Sequence, residues 1–276
     1  MTRWLCAAPL ALVVSCMPPA ESPRFEVPDA DADGIPDAAD ACPRDKEDGL
    51  GASPHDGCPD SPTTCRVGAV AICDTRCGQG DSGACVMLGV SRLYGRGTDV
   101  DLEGAKASFS RALAGGDGRG AVFLGLMHET GRGVPVDLAA AMSHYQRACD
   151  ARAWAGCTNM GRLFLFGLGV QASDDAARVQ LKLACERGEG TGCEMLAALH
   201  LAGRGVRADG AAAFRLFDRG CMLGVATSCH ARGTMQLSGT APGGVDEDAG
   251  RASLRIACDG GHRRSCSTLG ALGAVK

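Results

Sequence analysis

One spacing returns almost unchanged every 36 residues from about Cys77 to the C-terminus, and it restricts the fold more than any other feature. Cys85, Cys157, Cys193 and Cys229 fall on one lattice, with Cys266 one residue late. A second lattice, eight residues earlier, holds Cys77, Cys149, Cys185, Cys221 and, again one late, Cys258. Gly95-Arg96-Gly97, Gly131-Arg132-Gly133, Gly167-Leu168-Gly169 and Gly203-Arg204-Gly205 share the period. A repeat of this length marks a solenoid, whose units bury their apolar faces only against their neighbours.

Within a unit the periodicity is helical. After Gly156-Cys157, apolar residues at Met160, Leu163, Phe164 and Phe166 follow the spacing of one helix face. Gly167 ends that helix, because glycine tolerates the left-handed conformation just past a C-terminus. Ser173 then offers an N-cap, as do Asp101, Asp137 and Asp209 in other units. Ala176, Val179, Leu181, Leu183 and Ala184 continue in a second helix ending near Gly188. Each Gly-x-Gly follows a helix, whereas a phosphate-cradling glycine loop follows a strand.

An absence decides how the lattice cysteines pair. One unit carries Leu113 and Ala121 where both cysteines belong. Bridges between cysteines eight apart lose one whole bond there and orphan nothing; bridges 28 apart would strand Cys85 and Cys149, and also Cys77 and Cys266. The pairs are therefore Cys77–Cys85, Cys149–Cys157, Cys185–Cys193, Cys221–Cys229 and Cys258–Cys266, each joining one unit's second helix to the next unit's first. Each closes a small loop, worth about 2–3 kcal/mol in the chain-entropy account. Cys65 and Cys73 are also eight apart, but on one continuous helix they would lie two turns from each other, so their pairing stays open.

These residues resemble the Sel1-like repeat, a relative of the tetratricopeptide repeat. Leu88-Gly89, Leu124-Gly125, Met160-Gly161 and the Gly-x-Gly runs carry the likeness, with Val134, Val170 and Val206 after three of them. The cysteines at the helix ends make it similar to the secreted cysteine-rich subfamily. The resemblance implies an all-α, right-handed solenoid of stacked antiparallel helix pairs over residues 61–276, stapled by disulfides.

The N-terminal part differs. Arg3 precedes an apolar run of 11 residues, Trp4 to Val14, which falls short of the roughly 20 needed to span a bilayer and reads as a secretory signal. Val13-Val14-Ser15-Cys16 resembles a bacterial lipobox, which implies a signal peptide at 1–15 and lipidation of Cys16. Residues 16–28, with Pro18, Pro19, Pro23 and Pro28, read as a tether extending about 3 Å per residue. Sixteen cysteines point the same way, to an oxidising compartment. The expected location is the cell envelope, as an outer-membrane lipoprotein or a periplasmic or secreted protein. Contact with the membrane would then run only through the anchor.

Through Asp60 the chain carries 4 basic and 12 acidic residues; beyond it the numbers are 24 and 20. Overall charge is −4, which argues against a nucleic-acid surface. The acidic head contains Asp29, Asp31, Asp33, Asp37 and Asp40 at positions 1, 3, 5, 9 and 12 of a twelve-residue loop, with Gly34 at position 6 and the Ile35 carbonyl at position 7. A hard cation such as calcium collects oxygens at this spacing. With Asp40-Ala41-Cys42-Pro43 and Asp56-Gly57-Cys58-Pro59-Asp60, residues 29–60 resemble a thrombospondin type 3 repeat. That resemblance implies calcium on Asp29, Asp31, Asp33, Asp37 and Asp40, and a Cys42–Cys58 bridge. The regular carboxylate spacing is lost between Asp45 and Asp56.

Secreted cysteine-rich relatives are linked to penicillin binding and β-lactamase-type activity, which makes a cell-wall-active enzyme the alternative function. A serine β-lactamase needs Ser-x-x-Lys and Lys-Thr-Gly. None of Lys46, Lys106, Lys182 and Lys276 has a serine three residues before it, and Lys-Thr-Gly does not occur. His128 and His200 share one register, with Phe164 between them, which favours packing over metal binding. What remains is a surface. By analogy with tetratricopeptide repeats, the first helices line a concave face exposing Tyr94, Asn159, Arg162, Phe166 and Glu194 to a protein or peptide partner. The expected molecule is a monomeric, non-catalytic scaffold.

Overall fold

The computed structural model describes residues 65–273. The expectations for the signal peptide, Cys16, the tether, the calcium ligands and Cys42–Cys58 fall outside them.

The described chain runs through twelve helices, and none of its residues forms a strand. They are α1 (Val70–Gly78), α2 (Ser82–Tyr94), α3 (Leu102–Ala114), α4 (Arg119–Thr130), α5 (Leu138–Asp150), α6 (Ala155–Phe166), α7 (Asp174–Glu186), α8 (Gly190–Ala202), α9 (Gly210–Met222), α10 (Ala226–Ser238), α11 (Glu247–Asp259) and α12 (Arg263–Gly273). Each packs chiefly on its sequence neighbours, the contact pattern of a stacked solenoid. Five pairs, α2–α3 to α10–α11, stand between a lone second helix, α1, and a lone first helix, α12. None of the helices is long and apolar enough to cross a membrane.

The starts and stops are local. Asp101, Asp137, Ser173, Asp209 and Asp246 each accept a hydrogen bond from the backbone N–H three residues on, capping α3, α5, α7, α9 and α11. Gly95, Gly131, Gly167, Gly203 and Gly239 take the left-handed conformation just past the first helices. The second glycine of each Gly-x-Gly has a further reason. A Cβ on Gly97 would lie 2.2 Å from the Gly68 carbonyl oxygen, and one on Gly169 would lie 2.4 Å from Leu138 Cβ. This loop must touch the start of the previous unit's second helix, and both glycines also have positive φ.

The late arrival of Cys258 and Cys266 has a place in the fold. The loop after α10 runs from Gly239 to its N-cap Asp246, one residue more than Gly203 to Asp209 after α8. The insertion is absorbed in that loop, and helix pairing continues beyond it.

All five lattice bridges form, with Cα–Cα distances of 4.5–5.0 Å. Cys65 and Cys73 also bond, at 4.8 Å between Cα atoms. The helix starts only at Val70, so Cys65 lies outside it and folds back. At the α3–α4 junction, where the bridge is missing, fully buried Ala121 and half-buried Leu113 fill the place with apolar contact.

Each second helix presses one large side chain onto the facing first helix: Phe109, Tyr145, Leu181, Phe217 and Leu254, all at most 5% exposed. The glycine of the Leu-Gly motif makes room for them. A Cβ on Gly89 would come within 2.4 Å of the Phe109 ring, and one on Gly125 within 2.5 Å of Tyr145.

Candidate functional site

The expected surface residues sit on α2, α6 and α8, but only one is plainly open. Phe166, the last residue of α6, is 42% exposed. In the next first helix, α8, Leu201 is 49% exposed and Ala198 and Ala202 are exposed as well. Asn159 is half-buried.

Arg162 is locked. Its Nη2 donates to Glu129 Oε2, which also accepts the Tyr145 hydroxyl at 2.8 Å; a second contact joins Arg162 Nη2 to Asn159 Oδ1 at 3.4 Å. The Arg162 and Glu129 side chains are 12% and 14% exposed. Burial alone would favour neutral arginine, but the hydrogen bond and charge of Glu129 outweigh it and raise the Arg162 pKa. Burial, with the Glu129 charge beside it, pushes the Tyr145 hydroxyl well above its usual range. The cluster ties α4, α5 and α6 together and leaves Arg162 little freedom to reach a ligand. Glu129 was not among the expected residues, although the register marks it: Leu93, Leu165, Leu201 and Leu237 hold its place in the other units.

Tyr94 lies under the Arg132 guanidinium, 4.9 Å from the ring centre. Burial raises its hydroxyl pKa, opposed by the charges of Arg132 and Arg96. Arg132 also donates to the Leu93 carbonyl, and Arg204 to the Leu165 carbonyl at 3.1 Å. The arginine of Gly-Arg-Gly thus takes up a free carbonyl at the end of the previous unit's first helix. Glu194 is buried enough that its carboxyl pKa rises, a shift opposed by a hydrogen bond with Thr227.

The histidines pack. His128 stacks on His144 with ring centres 5.3 Å apart, and the Nδ1 atoms of His128, His144 and His200 are buried without a hydrogen-bond partner. No three metal-ligating side chains gather among the described residues. Cys73 and Cys77, four residues apart, are both taken by disulfides. At the C-terminal end, the Ser265 hydroxyl lies 2.8 Å from Nδ1 of both His230 and His262. That resembles an activated nucleophile, but Ser265 is fully buried and out of reach of a substrate.

A family model described as Sel1 repeat matches residues 82–117, 119–152, 154–189 and 191–225, which are the pairs α2–α3, α4–α5, α6–α7 and α8–α9. No curated protein matches. Among solved structures, a protective antigen of uropathogenic Escherichia coli displaying an SLR fold superposes with a TM-score of 0.58 at 24% identity. That match covers 74% of this chain, which spans 44% of the antigen's length. A Sel1 repeat protein from Oxalobacter formigenes superposes at 0.60 with 21% identity, over 73% of this chain and 80% of its own. At these identities the likeness concerns the fold.

Proposed function

We propose, from the premise that this chain belongs to the Sel1 repeat family, that it is a non-catalytic scaffold of the bacterial cell envelope, gripping a protein or peptide partner along its first helices. The observation that carries this reading is exposed Phe166 at the end of α6, together with exposed Ala198, Leu201 and Ala202 at the same end of α8, the next first helix, which packs against α6. A helix or extended peptide binds an apolar strip of this kind by burying it. Neighbouring polar groups are already committed, Arg162 to Glu129 and Tyr94 to Arg132, so they hold the face rigid.

Six disulfides in the solenoid support folding outside the cytosol. In this reading Cys16 carries the lipid anchor, and Asp29, Asp31, Asp33, Asp37 and Asp40 bind a structural calcium ion between anchor and solenoid. The test is a crosslinking pull-down from intact cells with the native chain and a Phe166→Asp/Leu201→Asp variant of unchanged circular dichroism. Loss of one envelope protein with the variant is the expected result. Equal capture by both, or a covalent adduct with labelled penicillin, would overturn the reading.

A further inference from the structure

The six bridges differ in how far a reagent can reach them. In Cys77–Cys85, Cys149–Cys157, Cys185–Cys193 and Cys221–Cys229, every cysteine is 0–6% exposed. Cys73 is fully buried and its partner Cys65 half-buried. Cys258 is half-buried and Cys266 is exposed. Exchange requires a thiolate to approach a sulfur along the S–S axis, so access ranks these bonds.

The surroundings of Cys266 favour cleavage as well. It lies in the first turn of α12, two residues after Arg264 and three after Arg263. A thiolate there is stabilised by the helix N-terminus and by the nearby positive charge. Cys85, Cys157, Cys193 and Cys229 share the first-turn position. Exposure and the arginine pair distinguish Cys266.

Breaking this bond would have a structural consequence that the other bridges lack. α12 buries a single residue, Ser265. Its other ties are its packing on α11, the contacts of Ser265 with His230 and His262, and a hydrogen bond from Arg251 Nη1 to the Leu272 carbonyl at 3.2 Å. Gly270 occupies the place of Gly89 and Gly125, yet a Cβ there would meet nothing within 4 Å. Among the described residues, α11 packs on α12 and no second helix follows it to press on the other side.

We propose that Cys258–Cys266 is a thiol-exchange site taking a dithiol reductant, and that its state sets whether α12 is docked or free. A thiolate of the dithiol attacks Cys266 Sγ; the S–S bond breaks, and its electron pair leaves on Cys258 Sγ, which takes a proton from water. The second thiol, losing its proton, attacks the dithiol's own sulfur in the mixed disulfide and releases Cys266 as thiolate. Two electrons pass to the protein, and the dithiol ends as a disulfide.

The test is a graded dithiothreitol titration of the full chain, with alkylation of new thiols, peptide mass spectrometry, and hydrogen exchange at the dose that opens the first solenoid bridge. Labelling of Cys258 and Cys266 at least about tenfold faster than of the other five solenoid pairs is expected. A rise in exchange confined to residues 262–273 should accompany it. Labels appearing first or equally in another of the six bridges would overturn the proposal, as would unchanged exchange in α12 once its bridge is open. A Cys258→Ser/Cys266→Ser variant should show no solenoid labelling at that dose, and α12 exchange already raised.

Discussion

A glycine inside a helix costs about 1 kcal/mol relative to alanine, yet α2, α4, α6 and α10 each keep one at the same register, Gly89, Gly125, Gly161 and Gly233. The reason is the side chain pressed against it. Gly125→Ala places a methyl 2.5 Å from the buried Tyr145 ring; overpacking should exceed the gain in helix propensity and lower stability by about 1–2 kcal/mol, read as a lower urea midpoint. Gly270→Ala meets no neighbour and should instead raise the hydrogen-exchange protection of α12. The Glu129–Arg162–Tyr145 cluster follows the opposite logic, with Glu129 and Arg162 in places that are apolar in the adjoining units. Glu129→Leu alone leaves Arg162 and the Tyr145 hydroxyl buried without their acceptor and should cost about 3–5 kcal/mol. Glu129→Leu/Arg162→Leu imitates the neighbouring units, where Leu165 and Leu126 hold these places, and should recover most of that loss in a double-mutant cycle.

At the scale of the element, the junctions between pairs decide local strength. The α3–α4 junction keeps the geometry of its stapled neighbours but has Leu113 and Ala121 instead of cysteines. Leu113→Cys/Ala121→Cys should therefore oxidise to a sixth lattice bridge and stabilise the chain by about 2 kcal/mol, checked by non-reducing peptide maps and the thermal midpoint. Failure of that bond to form would mean that this junction departs from the common register. The α12 end is held differently. His262 Nδ1 accepts the Ser265 N–H, so a neutral imidazole caps the helix. Burial and then the charge of Arg264 lower the His262 pKa; burial, His262 and Arg264 lower that of His230. Other charged groups on the helices packed here include Arg263 on α12, Arg251, Arg255 and Asp259 on α11 and Arg232 on α10. Both imidazoles thus bind protons less readily when α12 is docked. Docking is fully supported above the ordinary histidine pKa of about 6.5 and weakens as pH falls below it. Protection factors in α12 should fall on acidification while those in α6 hold, and His262→Asn, which keeps a neutral cap, should flatten the response.

Across the whole molecule, stability is close to a sum of unit and junction contributions, because each helix touches little beyond its neighbours. The proposed calcium segment is tested apart from the solenoid. Calcium should bind the full chain with a dissociation constant of about 0.1–1 mM, measured by calorimetry, and Asp31→Ala/Asp33→Ala should abolish that heat without moving the solenoid's thermal midpoint. Much of this molecule was legible from its residues. The period, the helix pairs, the caps at Asp101, Asp137, Ser173 and Asp209, and five of the six solenoid bridges follow from repetition. A solenoid unit meets only its neighbours, so local spacing already encodes most of its contacts. The Cys65–Cys73 bond stayed open because it depends on where α1 begins, and helix starts are weakly encoded where no side-chain cap marks them. The candidate face was harder to read. Tyr94, Asn159, Arg162, Phe166 and Glu194 were placed on the right helices by register, but register says nothing of which side chains are already engaged. Only three-dimensional packing showed Arg162 bound to Glu129, Tyr94 covered by Arg132 and Phe166 left open. Repetition along the chain determined the architecture, since identical units must stack alike. Exposure at each position, and with it the accessible bridge and the open apolar strip, was decided by contacts between units whose side chains differ.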